Sequence, residues 1–205
     1  MQNFKKDNDK HLDILINNAG VMDCPKSLTK DGFEMQIGVN HFWRHFLLTN
    51  LLIDILRSST PSRIIILSSL VHGFGSINVV DLNSQNSYGR SRAYCQSKLA
   101  NILFPRELAK RLNGSGVTVN ALHPRIINTE LFRNWRLFQT ELGKYLTKPL
   151  IWPFIKSPKS GAQTSLYASL DPSLNHITGQ YFSDCRPKDE KASKCAWAES
   201  EVDRA

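Results

Sequence analysis

A parallel α/β sheet is the expected architecture of this chain, and three segments carry the expectation. Leu12-Asp13-Ile14-Leu15-Ile16, Arg63-Ile64-Ile65-Ile66-Leu67 and Val117-Thr118-Val119-Asn120-Ala121-Leu122 are short, apolar and largely β-branched. Each hands over to polar residues and then to a helix, the rhythm of strands buried on both faces. The carboxyl ends of such strands line the ligand crevice, so the polar residues just beyond each run are the first candidates for chemistry.

The first run enters Asn17-Asn18-Ala19-Gly20. A helix is expected from about Phe33 to Ser58, started by Asp31 with Glu34 three residues later. It carries Asn40 among Ile37, Val39, Phe42, Phe46 and Leu47. The second run ends in Ser68-Ser69, which puts the Ser69 hydroxyl where it can hold a substrate oxygen. Tyr94 and Lys98 follow, one turn apart on a single face of an expected helix over Tyr94–Leu112. A phenol titrates near ~10 when free. An ammonium beside it favours the phenolate, so Lys98 is expected to lower the Tyr94 pKa and let Tyr94 exchange a proton with an alcohol or carbonyl. Tyr88 has Arg92 four residues on, but a guanidinium is a poor proton-relay partner. Pro105 is expected to interrupt the Tyr94 helix, since an interior proline costs about 3 kcal/mol. Gly114 and Gly116 stop it, and the third run then ends at His123-Pro124. Ser157-Pro158 reads as the start of a later helix that Asp171-Pro172 closes. The charged tail from Lys188 to Ala205 reads as a marginal surface helix.

Five ordered motifs resemble the short-chain dehydrogenase/reductase family, in its retinol-dehydrogenase-like branch. They are Asn17-Asn18-Ala19-Gly20, Val39-Asn40-His41, Ser68-Ser69, Tyr94-Cys95-Gln96-Ser97-Lys98-Leu99-Ala100-Asn101, and His123-Pro124 with Asn128-Thr129-Glu130-Leu131. Gly161-Ala162-Gln163-Thr164-Ser165 and Gly179-Gln180-Tyr181-Phe182-Ser183-Asp184-Cys185 also fit, so the likeness covers nearly the whole chain. The resemblance implies a Rossmann-like parallel sheet with flanking helices. It makes Tyr94 the general acid/base, with Lys98 holding the nicotinamide ribose, Ser69 orienting the substrate oxygen and Asn40 anchoring a proton-relay water. Asn17, Asn18, Ala19, Gly20, Tyr94, Lys98, Pro124 and Thr129 would contact the cofactor, NADP(H), with NAD(H) left open. The implied reaction interconverts a lipophilic alcohol, retinol or similar, and its aldehyde or ketone by hydride transfer. Relatives often pair through the helices that carry Asn40 and Tyr94, so a homodimer is also implied.

The Gly-rich turn that cradles a pyrophosphate in such folds is missing. Gly20, Gly32 and Gly38 are in no such arrangement, Met1–Lys10 is polar and charged, and the first strand matches the family's fourth. The first three strands of the family are therefore expected to be absent, and the chain reads as a fragment, a shortened isoform or a mispredicted gene product. Leu12–Ile16 would then be an open apolar edge, prone to pairing. Two residues depart from the family pattern by replacing glycine, Arg44 on the first helix and Arg125 after Pro124. Together with Pro105 they motivate an alternative: a catalytically impaired remnant that cannot bind dinucleotide and acts through association with an intact homologue.

The chain has 205 residues, of which 41% are hydrophobic, enough for one core, so 1–205 is read as a single partial domain. Within it, 129–159 matches the family's substrate lid, rich in residues such as Leu131, Phe132, Trp135, Phe138, Tyr145 and Trp152. The net charge is +8, but the basic residues are scattered without an arginine-rich run, which argues against nucleic acid. Attraction to an anionic membrane surface is the better use of the charge, and Leu150–Ile155 between Lys148 and Lys156 suits an interface. Cys24, Cys95, Cys185 and Cys195 have no C-x-x-C spacing and read as reduced thiols. No run approaches the ~20 apolar residues of a membrane span, and Met1–Lys10 is no signal peptide. The expected location is the cytoplasmic side of an endoplasmic-reticulum or mitochondrial membrane, or the cytoplasm. His41 and His45 share a helix face at metal-ligand spacing, but no third ligand is near in sequence, so no metal site is expected.

Overall fold

Strand β1 (Ile14–Asn17) opens the ordered sheet in the computed structural model, which describes residues 11–124 and 158–188. Next comes one long helical stretch: α1 (Met35–Ile37), a wide-turn π segment (Gly38–Leu47) and α2 (Leu48–Ser58). Then follow β2 (Ser62–Leu67), a 3₁₀ turn (Leu70–Phe74), α3 (Arg90–Arg111) and β3 (Val117–His123). Beyond these lie α4 (Pro158–Gly161), α5 (Gln163–Leu170), β4 (Tyr181–Ser183) and β5 (Arg186–Pro187). Thr129, Arg125, Ser157, Cys195, the lid over 129–157 and the tail beyond Lys188 lie outside the described residues.

The strands stand in the order β1-β2-β3-β4-β5. The first three pairings are parallel, registered by Ile14↔Arg63, Ser62↔Val117 and Ala121↔Tyr181, and β5 returns antiparallel. Side chains alternate between two faces. Leu15, Ile64, Ile66, Val117 and Val119 face α2 and α3, meeting Leu56, Leu108, Ala109 and Leu112. Ile65, Leu67, Leu122 and Phe182 face the other way, under Ala168 of α5 and Leu174. Arg63 fastens that layer, donating to the carbonyl oxygens of Ala168 and Asp171 at 3.1 and 2.7 Å. This cover stops short of the first strand: Ile16, paired with the buried Ile65, is 43% exposed. Among the described residues β1 has one neighbour, β2.

Two local expectations need correction. The helix does not start on the Asp31–Glu34 pair: Glu34 itself is the cap, its carboxylate accepting from the Gln36 and Ile37 amides at 2.9 Å each. Glu34 is held in place because its own amide donates to Asn83, a contact from far along the chain that no local pattern reveals. Pro105 does not interrupt α3, which runs unbroken through it. The proline is buried among Ile102, Leu108 and Ala109, and packing on both sides of the break outweighs its local cost. Arg44 is exposed, which spares the helix the burial of a charge.

Candidate active site

Tyr94 sits in the second turn of α3, almost wholly buried, and its phenol lies beside the Ser69 side chain. Ser69 lies just past β2 in extended backbone, at the mouth of the 3₁₀ turn. Lys98, one turn beyond Tyr94, is also buried, with Nζ 5.7 Å from the centre of the phenol ring. Its ammonium donates to the Leu67 carbonyl at 3.3 Å. The structure thus brings Ser69, Tyr94 and Lys98 together at the carboxyl end of β2.

Asn40 completes the group from the π segment. Its Oδ1 accepts from the Val21 amide at 2.7 Å, and its Nδ2 donates to the Val21 carbonyl and to Ser97 Oγ at 2.9 Å each. Ser97 Oγ donates to the Tyr94 carbonyl, and Ser68 Oγ to the Lys98 carbonyl. Asn101 was quoted in the sequence motif but given no task. Its Nδ2 bridges two elements, donating to the Asn40 carbonyl at 2.9 Å and the Leu67 carbonyl at 3.1 Å. Its place one turn after Lys98 was the available signal. The network ties α3, the π segment, β2 and the loop after β1 into one unit, each buried polar group satisfied by another.

The loop residues Asn17, Asn18, Ala19 and Gly20 run along the rim beside this group. A Cβ on Gly20 would stand 3.0 Å from Asn40 Oδ1 and 3.4 Å from Lys98 Nζ, so glycine lets the loop backbone pass this close to both side chains. Asn18 is exposed and Ala19 half-buried, whereas Asn17 is buried and donates to Thr49 Oγ1 at 2.8 Å. Pro124 is half-buried just after β3. Tyr88 belongs elsewhere: its hydroxyl donates to the Cys24 carbonyl and accepts from Gln36, a structural tie. His41 pairs with Asn101, and His45 is buried apart from it with no hydrogen-bond partner on either ring nitrogen.

The electrostatics differ from the sequence expectation. Burial pushes the Tyr94 phenol up to about 12, and the neighbouring Ser69 side chain only partly opposes this. Lys98 does not set the phenol's pKa; burial pulls its own value down to about 8. Lys98 still holds its proton at neutral pH, but its ammonium is aimed at a carbonyl rather than at the phenol oxygen. At neutral pH, then, Tyr94 carries its proton.

Residues 1–140 match the short chain dehydrogenase family, and the chain belongs to that family. It is 52% identical to retinol dehydrogenase 14 of Mus musculus over 198 residues, 93% of this chain and 58% of that protein. It is 50% identical to retinol dehydrogenase 13 of Homo sapiens over 200 residues, 94% of this chain and 60% of that one. The chain therefore spans little more than half the length of these relatives. Among solved structures, an uncharacterized protein from Mycobacterium paratuberculosis is 34% identical with a TM-score of 0.66, covering 94% of this chain and 65% of the other. The Pseudomonas aeruginosa RhlG/NADP active-site complex shares the fold, at 24% identity and a TM-score of 0.58, with 84% of this chain and 64% of that chain covered.

Proposed function

We propose that the chain is an oxidoreductase module that interconverts a lipophilic alcohol and its aldehyde or ketone with NADP(H). The observation that carries the reading is the Tyr94 phenol beside the Ser69 side chain, with Lys98 buried one turn away. Ser69 holds the substrate oxygen, and Tyr94 gives that oxygen its proton when a carbonyl is reduced. A nicotinamide dinucleotide, when bound, supplies the hydride to the carbonyl carbon. The residues at hand fit such a group. Gly20 brings the loop backbone close to Lys98, whose ammonium spends a bond on Leu67 and keeps further donors for ribose hydroxyls. Asn17, Asn18, Ala19, Gly20, Pro124 and Thr129 are the remaining contacts in this reading. Asn40 keeps Gly20 and the Tyr94 turn in register and anchors the proton-relay water. The phosphate preference for NADP(H) over NAD(H) rests on the retinol-dehydrogenase likeness alone.

A lipophilic substrate is supported by the names of the relatives and by apolar side chains beside Ser69: Leu70 is exposed and Phe74 is 84% exposed. The 129–159 lid and a peripheral membrane contact through Leu150–Ile155 belong to the same reading. No helix among the described residues is long and apolar enough to cross a membrane. A homodimer through the helices of Asn40 and Tyr94 is part of it too. The test is NADPH oxidation with retinaldehyde and long-chain aldehydes as substrates. Turnover that disappears in Tyr94→Phe supports the reading; turnover equal in both chains removes Tyr94 from the chemistry.

A second reading is favoured by the outer edge of β1. Asn17 Oδ1 and both His45 nitrogens are buried without partners there, and Ile16 is part-exposed. On this reading the chain lacks dinucleotide binding and pairs with an intact homologue by offering that edge. Co-expression with a full-length relative, followed by sizing of the purified mixture, tests it. Separate elution removes it, as does micromolar NADPH binding by the chain alone.

A further inference from the structure

The turn that presents Ser69 is fastened by a side chain to which the reaction gives no task. His72 is 2% exposed, and its Nδ1 lies 2.6 Å from the Ser69 carbonyl oxygen. The His72 amide donates to the same oxygen at 3.1 Å. A carbonyl oxygen only accepts, so the ring proton is on Nδ1. Burial keeps the imidazole neutral, with the Arg106 charge adding to the effect and the Ser69 bond opposing it. The remaining nitrogen, Nε2, therefore carries a lone pair.

The ring does not float. Tyr181 of β4 meets it edge-on, with ring centres 4.9 Å apart. The Tyr181 hydroxyl is hydrogen-bonded to His123 Nδ1, and the His123 ring stacks on Tyr181 at 5.6 Å. His72, Tyr181 and His123 thus form a buried stack from the Ser69 turn to the ends of β3 and β4. The far end of the turn is fixed as well: a Cβ on Gly75 would fall 2.6 Å from the Cys95 carbonyl oxygen, so the turn lies directly on α3 beside Tyr94. With the Ser69 carbonyl taking two bonds and Gly75 pressed onto α3, the rotation of the turn is fixed. The Cα–Cβ direction of Ser69 is fixed with it, which limits Oγ to the staggered positions about that bond.

We propose that His72 is the positioning residue for Ser69: its Nδ1–H holds the Ser69 carbonyl so that Oγ stays beside the Tyr94 phenol. The catalytic meaning rests on the oxidoreductase reading, whereas the contact itself needs neither cofactor nor substrate.

The experiment uses the whole chain labelled with ¹⁵N-histidine and ¹³Cζ-tyrosine, without cofactor. Ring-nitrogen shifts should report His72 as neutral with its proton on Nδ1. The Tyr94 carbon, identified by its loss in Tyr94→Phe, should shift in Ser69→Ala as the phenol loses its neighbour. His72→Leu should move it in the same direction by at least half as much. His72→Asn, whose amide reaches about where Nδ1 sits, should return it toward the parent position. A parent His72 that is charged or protonated on Nε2 overturns the proposal, and this holds even where His72→Leu does not fold. So does a Tyr94 signal unmoved in folded His72→Leu, or equal movement in the Leu and Asn chains. Failure of the chain to bind NADPH would sink the oxidoreductase reading and leave these signals as they are.

Discussion

Around Tyr94, the buried side chains of Asn40, Ser68, Ser97, Lys98 and Asn101 all have hydrogen-bond partners on neighbouring elements. Around Asn17, on the outer side of the same sheet, they do not. Five buried side-chain polar atoms lack a partner among the described residues, and three of them are Asn17 Oδ1 and the two nitrogens of His45. Thr49, one turn from His45, takes only the amide end of Asn17. An unmet buried polar atom costs about 1–3 kcal/mol, so the second region carries a load that the first avoids. The network around Tyr94 is satisfied within the described residues. The half beside β1 holds the unmet polar atoms, the part-exposed Ile16 and, among the described residues, a strand edge without a partner.

The largest effect expected from breaking the finished side is chemical. If turnover is seen, Tyr94→Phe should reduce it by about 10²–10⁴-fold, the range of a lost general acid, with little change in melting temperature. Kinetics and a thermal scan on the same preparation check both parts. Next is Lys98→Met, which should stabilise the fold by about 3 kcal/mol at pH 7, the equivalent of the lysine's drop to about 8. The sign follows from proton counts. Between the lysine's ordinary pKa and about 8 the unfolded chain holds the extra proton, so stability of the parent rises with pH there. The gain from Lys98→Met should therefore shrink from pH 8 toward pH 10, which urea melts at several pH values will show. Above pH 10 the raised Tyr94 acts the other way, because the folded chain keeps a proton that the unfolded one loses.

Asn40→Ala should cost about 2–4 kcal/mol, since it strands the Val21 amide and carbonyl and Ser97 Oγ together. Its counterpart across the comparison is His45→Phe, which removes two unmet nitrogens and should be neutral or stabilising by about 1 kcal/mol at pH 7. Burial, with the Lys98 charge next, holds His45 down to about 2. Below its ordinary pKa the unfolded chain binds a proton that the folded one refuses, so the parent loses stability as pH falls. The advantage of His45→Phe should widen by about 1 kcal/mol per pH unit below pH 6. Equal costs for Asn40→Ala and His45→Phe in parallel denaturant melts would erase the contrast between the two regions.

Much of the sheet was legible because β1, β2 and β3 are runs whose buried character shows in composition alone. Ser69, Tyr94 and Lys98 were legible too, because helical spacing and strand ends are local facts. Other features depend on contacts made only in the folded chain. Tyr181–Ser183 is too short to show a period and becomes a strand by pairing with Ala121–His123. Glu34 caps its helix because Asn83 reaches it, and Pro105 is tolerated because its helix is packed along its length. The π winding over Gly38–Leu47 has no sequence mark that we can identify. The expected depression of the Tyr94 pKa failed for a related reason: spacing gives proximity, but the burial that pushes the phenol up is a property of the whole fold.

The central claim is that the surface beside Gly20 and Lys98 receives a nicotinamide dinucleotide next to Tyr94. Calorimetric titration of the chain and of Gly20→Val with NADPH tests it most directly. The account predicts micromolar binding by the parent and loss of most of that affinity when a branched side chain crowds Asn40 and Lys98. No binding by the parent, or the same affinity in both chains, would contradict it.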